Sequence, residues 1–217
     1  MEFIDASLEE INEVMQQSMD AFHIYRRLPL KERANLMRAI AVEIEALGDV
    51  LIEIAMKETN LGEARLKTER ARTLFQLNSY ADACERAEWM HISIDTALAD
   101  RNPPKPDLRK MMIPLGPVVV FGASNFPCAY STAGGDSAWA LAAGCTVVIK
   151  AHPAHSETSE MVASAINKAV KNMNLPAGVF MHVHGASFEV GKALVTHDLT
   201  KAVGFTGSLQ GGKALFD

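Results

Sequence analysis

"VVVFGASNFPCAYS" (residues 118–131) places a strand signal directly before a turn signal. The run 118–121 is continuous and apolar, as strands buried on both faces of a parallel sheet are. Gly122 permits a sharp turn, and Pro127 suits the first turn of a helix. The stretch therefore predicts a buried strand followed by an Ala-rich helix over 127–144, which together form one βα unit.

The same alternation continues to the end of the chain. Strand-like runs recur at 146–150, 178–183 and 201–206, and helical patterns lie between them at about 157–173 and 187–196. Four strands alternating with helices predict right-handed βαβ units, that is, a Rossmann-like parallel sheet with helices on both faces. Ligands of such sheets bind beyond the carboxyl ends of the strands, so the residues after each strand are the site candidates.

The first ninety residues are typical of amphipathic helices. Ser7 and Glu10 form a capping-box pattern, and the apolar residues that follow recur at helical spacing. We expect further helices from Pro29 to Gly48, where a left-handed residue would end the helix, then over 49–58 and 64–86.

Residues 91–116 differ from both neighbouring regions. Two short strand-like runs, "HISID" and "LRKMMIP", are separated by a segment with prolines at 103, 104 and 106, which predicts a β-hairpin excursion. The sequence therefore divides into an N-terminal helical part (1–90), a hairpin (91–116) and an α/β core (117–217).

Composition and charge exclude several classes of protein. The net charge of −5 offers no basic footprint for nucleic acid, and no apolar run reaches the ~20 residues that span a bilayer. The acidic N-terminus lacks the order of a secretion signal, and three cysteines do not form a disulfide framework. We expect a cytoplasmic protein with no membrane or nucleic-acid partner.

Asn125 and Cys128 are the chemical candidates at the end of the first strand. The Asn125 amide could donate to an oxyanion formed from a carbonyl, or it could cap the following helix, and spacing alone favours neither. Cys128 in a first helical turn would have a lowered thiol pKa, yet cysteine is also a small core residue and no partner set lies nearby. A thiol hydrolase built on Cys128 is therefore a remote alternative.

The other strand ends carry weaker signals. Lys150 could reach a ribose hydroxyl or a phosphate, whereas Gly185 marks either a close ligand approach or an ordinary turn. Glycines 207 and 212 with Ser208 between them would let backbone N–H groups approach a pyrophosphate. His152 and His155 lack a completing ligand and have Pro153 between them, so the sequence predicts no metal site.

Taken together, these pieces resemble the aldehyde dehydrogenase superfamily. The matching segments are "SNFP" (124–127), "ALAAGCTVVIK" (140–150), "LPAGVF" (175–180) and "KAVGFTGSLQGG" (201–212), in the family's order and spacing. "GASNFP" and "KAHPAHSETSE" look most like the 2,5-dioxovalerate (α-ketoglutaric semialdehyde) dehydrogenases. The resemblance covers the whole chain and implies the aldehyde dehydrogenase fold in truncated form.

The resemblance also implies roles for residues. Asn125 would donate to the oxyanion of a thiohemiacetal, and the excursion at 91–116 would be an oligomerisation hairpin that makes the intact enzyme a homo-oligomer. The residues that would contact the dinucleotide cofactor are Gly122, Ala123, Ser124, Lys150, His152, Pro153, Gly185, Phe205, Thr206, Gly207, Ser208 and Gly212.

Two departures from the family pattern refine these expectations. Pro153 stands where NAD-preferring relatives often have a glutamate, so a 2′-phosphate is not repelled and NADP is favoured, with NAD still possible. The family's nucleophilic cysteine and general-base glutamate lie further along the chain than Asp217, so these 217 residues alone should be inactive.

The sequence offers two alternatives for the role of Arg72 and two for the class of protein. Arg72 could pair with the carboxylate of 2,5-dioxopentanoate, or it could be an ordinary surface arginine. The chain is either the cofactor-binding half of an aldehyde dehydrogenase or a naturally short, non-catalytic nucleotide-binding or interaction module. A reading frame that continues beyond codon 217 into a Gly-Gln-x-Cys-like motif would separate the two.

Overall fold

The computed structural model describes residues 3–217. Its N-terminal part is helical, with α1 (Leu8–Tyr25), α2 (Leu30–Glu45), α3 (Gly48–Thr59) and α4 (Glu63–Arg86). The capping box predicted for α1 is present, because Ser7 Oγ accepts from Glu10 N–H and the Glu10 carboxylate accepts from Ser7 N–H. Gly48 is left-handed as expected, at φ +61°, and it begins α3.

The hairpin and the α/β core follow in the predicted order. The hairpin consists of β1 (Ser93–Asp95) and β2 (Leu108–Lys110), which pair antiparallel. The core contains β3 (Val118–Phe121), α5 (Gly135–Ala143), β4 (Val147–Lys150), α6 (Ser156–Asn172), β5 (Phe180–Val183), α7 (Phe188–Thr196), β6 (Ala202–Phe205) and α8 (Leu209–Phe216).

The core sheet has the strand order β5–β4–β3–β6, and each neighbouring pair is parallel. The chain moves outward from β3 to β4 and β5, and then crosses back to place β6 on the other side of β3. The strand order thus reverses between β3 and β6. In open α/β sheets, ligands bind in the crevice beyond the carboxyl ends of the strands at such a switch point.

Helices cover both faces of this sheet, as the alternation of strands and helices predicted. Val118, Val120 and Ile149 belong to a core shared with α2, α5 and α6, whereas Val119 and Val148 pack with residues of α1 and α7. The β3 and β4 strands read as continuous apolar runs because both of their faces are buried. Within residues 3–217, no helix combines the length and apolarity that a bilayer crossing requires.

The predicted helix over 127–144 is wrong in its first half. Residues 127–134 form turns, with a single i+4 hydrogen bond from Tyr130 N–H to the Phe126 carbonyl, and α5 begins only at Gly135. Glycines 134 and 135 disfavour helix propagation, and the preceding N–H groups find acceptors on another helix, as described below. Cys128 therefore does not lie in a first helical turn.

Candidate functional site

The sheet register brings the four strand ends together in one row. Phe121 is paired with Lys150 on one side and with Phe205 on the other, and Lys150 is paired with Val183. The loops that follow these residues consequently leave the same edge of the sheet. The structure thus gathers at one edge the strand-end residues that the sequence singled out.

Gly122 allows the first loop to fold tightly against that edge. A Cβ at this position would lie 2.8 Å from Ser131 Oγ and 3.3 Å from the His152 nitrogen, so a side chain would force the loop away from the end of β4. Ala123 N–H donates to the Tyr130 carbonyl at 2.9 Å, which closes the loop on itself.

Helix α4 holds the same loop from the opposite side. Buried Glu69 accepts through Oε2 from the N–H groups of Cys128 (3.3 Å) and Ala129 (3.5 Å). Arg65, paired with Glu69 at 3.1 Å, donates to the Asn125 carbonyl at 2.6 Å, and Thr73 donates to the Cys128 carbonyl at 2.9 Å. No local sequence pattern indicates these contacts, whose partners lie 55 to 60 positions apart in the chain.

Asn125 is exposed beyond the end of β3 while its backbone is fixed by Arg65. Its side-chain amide has no hydrogen-bond partner among the described residues. The alternative that Asn125 caps the following helix is wrong, because α5 begins ten residues later, with Gly134 as its N-cap. The amide is thus presented to solvent beyond the carboxyl end of β3.

The Cys128 thiol is not suited to nucleophilic chemistry. Burial raises the pKa of this thiol to about 12, and the nearby Glu69 carboxylate acts in the same direction. The thiolate, which is the reactive form, is therefore a negligible fraction at neutral pH. This removes the physical basis of the Cys128 hydrolase alternative.

Lys150 and His152 lie beside one another at the end of β4. Lys150 Nζ donates to the Ala151 carbonyl at 3.3 Å, and burial lowers the pKa of this ammonium while Asp5 opposes the shift. Burial, with the nearby His155 and Lys150, lowers the pKa of His152 to about 4. His152 Nδ1 accepts from Ala154 N–H, which leaves Nε2–H of the neutral ring as a donor.

Asp5 reaches this edge from the N-terminus of the chain and was missed by sequence reasoning. Its carboxylate accepts from the N–H groups of Ala186 (2.6 Å) and Ser187 (3.0 Å), just before α7. Hydrogen bonding from Ser187 and then from Ala186 holds the pKa of Asp5 below its usual value. A carboxylate some 180 residues upstream thus binds backbone N–H groups of the loop after β5, and no local sequence pattern indicates this contact.

Glycines of the third and fourth strand ends make room for neighbouring side chains. A Cβ on Gly185 would lie 2.6 Å from Val190 Cγ1, and one on Gly207 would lie 2.6 Å from Phe205 Cζ. Gly212 is less restricted, since its nearest Phe205 atoms are 3.4 Å away. At Gly185, packing of α7 therefore accounts for the glycine.

Ser208 is the N-cap of α8 and lies three residues after the end of β6. Its Oγ accepts from Gly211 N–H at 3.0 Å, so the hydroxyl proton is free to donate to a ligand. Thr206, the residue after β6, donates to the Asp136 carboxylate at 3.2 Å and so connects this strand end to α5. The arrangement offers hydroxyl and backbone donors to an anion at the switch point.

Arg72 lies on the exposed face of α4 near the same loop. Its guanidinium donates to the Tyr130 hydroxyl and stacks over the Tyr130 ring, with Cζ 4.9 Å from the ring centroid. It has no carboxylate partner among the described residues. Arg72 is therefore partly positioned by an aromatic ring while keeping donors for a further acceptor.

Comparison with known proteins agrees with this architecture. The model of the "Aldehyde dehydrogenase family" matches residues 1–217. "Alpha-ketoglutaric semialdehyde dehydrogenase 2" of Azospirillum brasilense is 52% identical over 97% of this chain and 40% of its own length. "Alpha-ketoglutaric semialdehyde dehydrogenase" of Acinetobacter baylyi is 48% identical over 99% of this chain and 41% of its own length.

A solved structure supports the same fold. Glyceraldehyde-3-phosphate dehydrogenase GapN from Methanocaldococcus jannaschii, complexed with NADP, superposes with a TM-score of 0.81 at 22% identity, covering 99% of this chain and 45% of that one. The chain thus spans about two fifths of the length of the curated relatives that it matches. With the family model covering every residue, the chain belongs to the aldehyde dehydrogenase family.

Proposed function

We propose that this chain supplies the dinucleotide-binding part of an NAD(P)-dependent enzyme that oxidises an aldehyde to a carboxylic acid. The observation that carries the proposal is that an unpartnered amide, a lysine and the N-terminus of α8 follow or end three neighbouring parallel strands at one edge of the sheet. The nucleophile and the general base would come from residues beyond Asp217, as they do in the family.

Each group at the crevice has a defined task in this proposal. Lys150 and the Nε2–H of His152 would bind the adenosine ribose, and Ser208 with the first turn of α8 would bind the pyrophosphate. The cofactor, when bound, accepts the hydride. Asn125 would donate to the oxygen that becomes an anion when a thiolate adds to the aldehyde. The loop 122–134 would keep that donor in place through its contacts with α4.

NADP is the preferred cofactor in this proposal. Pro153 follows β4 where a carboxylate would repel a 2′-phosphate, and Lys150 offers the phosphate a positive charge. The Asp5 carboxylate, which acts on Lys150, is already engaged by the N–H groups of Ala186 and Ser187. We therefore expect the chain to bind NADP more tightly than NAD.

Replacement of Lys150 by methionine should weaken NADP binding by about 10–100-fold, because a hydrogen bond to a charged group contributes ~1.5–3 kcal/mol. Isothermal titration calorimetry of the purified chain measures the affinity directly. Lys168→Met on α6 is the matched control, since this lysine is exposed and pairs only with Glu43 among the described residues. Unaltered affinity in Lys150→Met, or no dinucleotide binding by the original chain, would refute the proposed cofactor site.

The proposed substrate is 2,5-dioxopentanoate, which would be oxidised to 2-oxoglutarate. The names of the two relatives at about 50% identity support this choice. Arg72 would bind the substrate carboxylate, because it keeps donors beyond those used by Tyr130.

For Arg72→Met we expect KM for 2,5-dioxopentanoate to rise ~10-fold or more, with KM for propanal unchanged, because only the former carries a carboxylate. The measurement uses a chimera of residues 1–217 and the C-terminal portion of the Azospirillum brasilense relative. Tyr130→Phe, which keeps the ring beneath Arg72, is the matched control. An equal rise for both aldehydes would assign Arg72 a structural role.

A second copy of the chain is the proposed partner of the hairpin. Apolar side chains of this segment are more than half exposed, including those of Ile92, Ile94, Leu108, Met111, Met112, Ile113 and Leu115. Exposed apolar surface of this extent is typical of interaction sites. The segment would therefore support the homo-oligomer expected of the intact enzyme.

A further inference from the structure

Two histidines and a glutamate meet at β5, the edge strand farthest from β6 in the core sheet. His182 lies on the edge strand β5, His184 follows two residues later, and Glu160 projects from α6. Side chains two residues apart on a strand point to the same side, which brings both imidazoles toward α6. They line one end of a groove of about 780 Å³ between α6 and β5.

The separations of these groups match the ligand shell of a small cation. Glu160 Oε2 lies 3.0 Å from His184 Nε2 and 3.3 Å from His182 Nδ1, and one ligand atom of each residue lies within 4.8 Å of the others. Ligands at ~2.0–2.2 Å from a tetrahedral Zn²⁺ are separated from one another by about 3.3 Å. Small side-chain movements would therefore suffice to admit an ion.

Hydrogen bonds with neighbouring side chains already orient the imidazole ring of His182. His182 Nε2 lies 2.9 Å from Ser159 Oγ, which in turn lies 2.5 Å from Thr132 Oγ1. If Nε2–H donates to Ser159, the tautomer leaves Nδ1 free as a ligand, an arrangement found around metal-bound histidines.

The donor set indicates the class of metal. Imidazole nitrogens suit zinc and its first-row neighbours, whereas magnesium and calcium prefer shells made of oxygen. Glu160 is about half exposed and the groove is open, so water can complete a tetrahedral shell. We propose that Glu160, His182 and His184 form a binding site for one divalent transition-metal ion, Zn²⁺ by preference, that clips β5 to α6.

This site departs from the sequence prediction of no metal. That prediction considered His152 and His155, whose rings stack at 5.6 Å and of which His155 is committed through Nε2 to the Ala123 carbonyl. The proposed ion site uses none of the residues assigned to the proposed dehydrogenase function and does not depend on that function. Metal binding can therefore be tested without cofactor or substrate.

The test is titration of the chelator-treated, purified protein with Zn²⁺ against a chromophoric chelator, and with Co²⁺ for its visible absorption. We expect one ion per chain, a tetrahedral cobalt spectrum, and a higher Tm with Zn²⁺. Glu160→Gln and His184→Gln should weaken binding by more than about 100-fold, and Ser159→Ala by ~10–100-fold, as outer-shell changes do. Circular dichroism without metal checks that each variant is folded.

His23→Gln is the matched control, since this histidine is exposed on α1 and should leave metal affinity unchanged. The proposal is overturned if the protein binds neither ion. It is also overturned if folded Glu160→Gln and His184→Gln bind as tightly as the original chain, because the ion would then be held elsewhere.

Discussion

Replacement of Asn125 by alanine should lower kcat for aldehyde oxidation by about 10²–10³-fold, the loss that follows removal of one oxyanion donor. The reason lies in the position of the amide. Asn125 is exposed beyond β3, its backbone is fixed by Arg65, and its side chain has no partner among the described residues. A donor held in this way needs no rearrangement when negative charge develops.

The chimera with the C-terminal portion of the Azospirillum brasilense relative provides the nucleophile that this measurement requires. Steady-state kinetics with saturating cofactor gives kcat, and NADP affinity should stay within about twofold because Asn125 is proposed to act on the aldehyde oxygen. Asn78→Ala on α4 is the control, since it removes an exposed asparagine whose side chain, within residues 3–217, bonds only to its own helix. A loss of kcat smaller than roughly threefold would be far below the range for an oxyanion donor and would remove the role.

The core strands were predictable because their signal is local. The runs at 118–121 and 146–150 are almost continuously apolar. This pattern is typical of strands that are buried between two layers of helices. Once those strands are parallel, their carboxyl ends share one edge, so the gathering of Lys150 and Phe205 near Asn125 follows from topology. The family resemblance and the fold agree for this reason.

The segment 127–134 was mispredicted because its conformation is set by distant partners. Its alanines favour a helix, but the N–H groups of Cys128 and Ala129 bond to Glu69, and the Cys128 carbonyl accepts from Thr73. Tertiary hydrogen bonds thus override local propensity over eight residues. The mistaken helix was also the basis for considering a lowered Cys128 thiol pKa, an alternative that was remote on sequence grounds.

The edge-strand cluster and Asp5 were missed for related reasons. His182 and His184 show the spacing of two residues on one strand face, which is a usable signal, but Glu160 lies on a helix 22 and 24 positions before them. Asp5 binds N–H groups 181 and 182 residues away. Contacts at such separations depend on the register of the sheet and on helix placement, which periodicity alone does not specify.

The contact of Glu69 with the loop 122–134 leads to the second prediction with a large expected effect. Glu69→Ala should lower the free energy of unfolding by about 2–4 kcal/mol, because it leaves the buried N–H groups of Cys128 and Ala129 without an acceptor, at ~1–3 kcal/mol each. Arg65 also loses its partner, but it is nearly half exposed, so water replaces most of that interaction. Urea unfolding of the purified chain measures the change as a lower midpoint at constant slope.

Glu63→Ala on the same helix distinguishes this anchor from ordinary surface charge. Glu63 is well exposed and pairs with Lys67 at 2.7 Å, so its loss should cost less than ~0.5 kcal/mol. Glu69→Ala should in addition accelerate hydrogen exchange within 122–134, since the loop loses its hold on α4 while the sheet remains intact. If both variants unfold at the same urea concentration, Glu69 does not anchor the loop, and the rigid presentation of Asn125 must come from Gly122 and the turn itself.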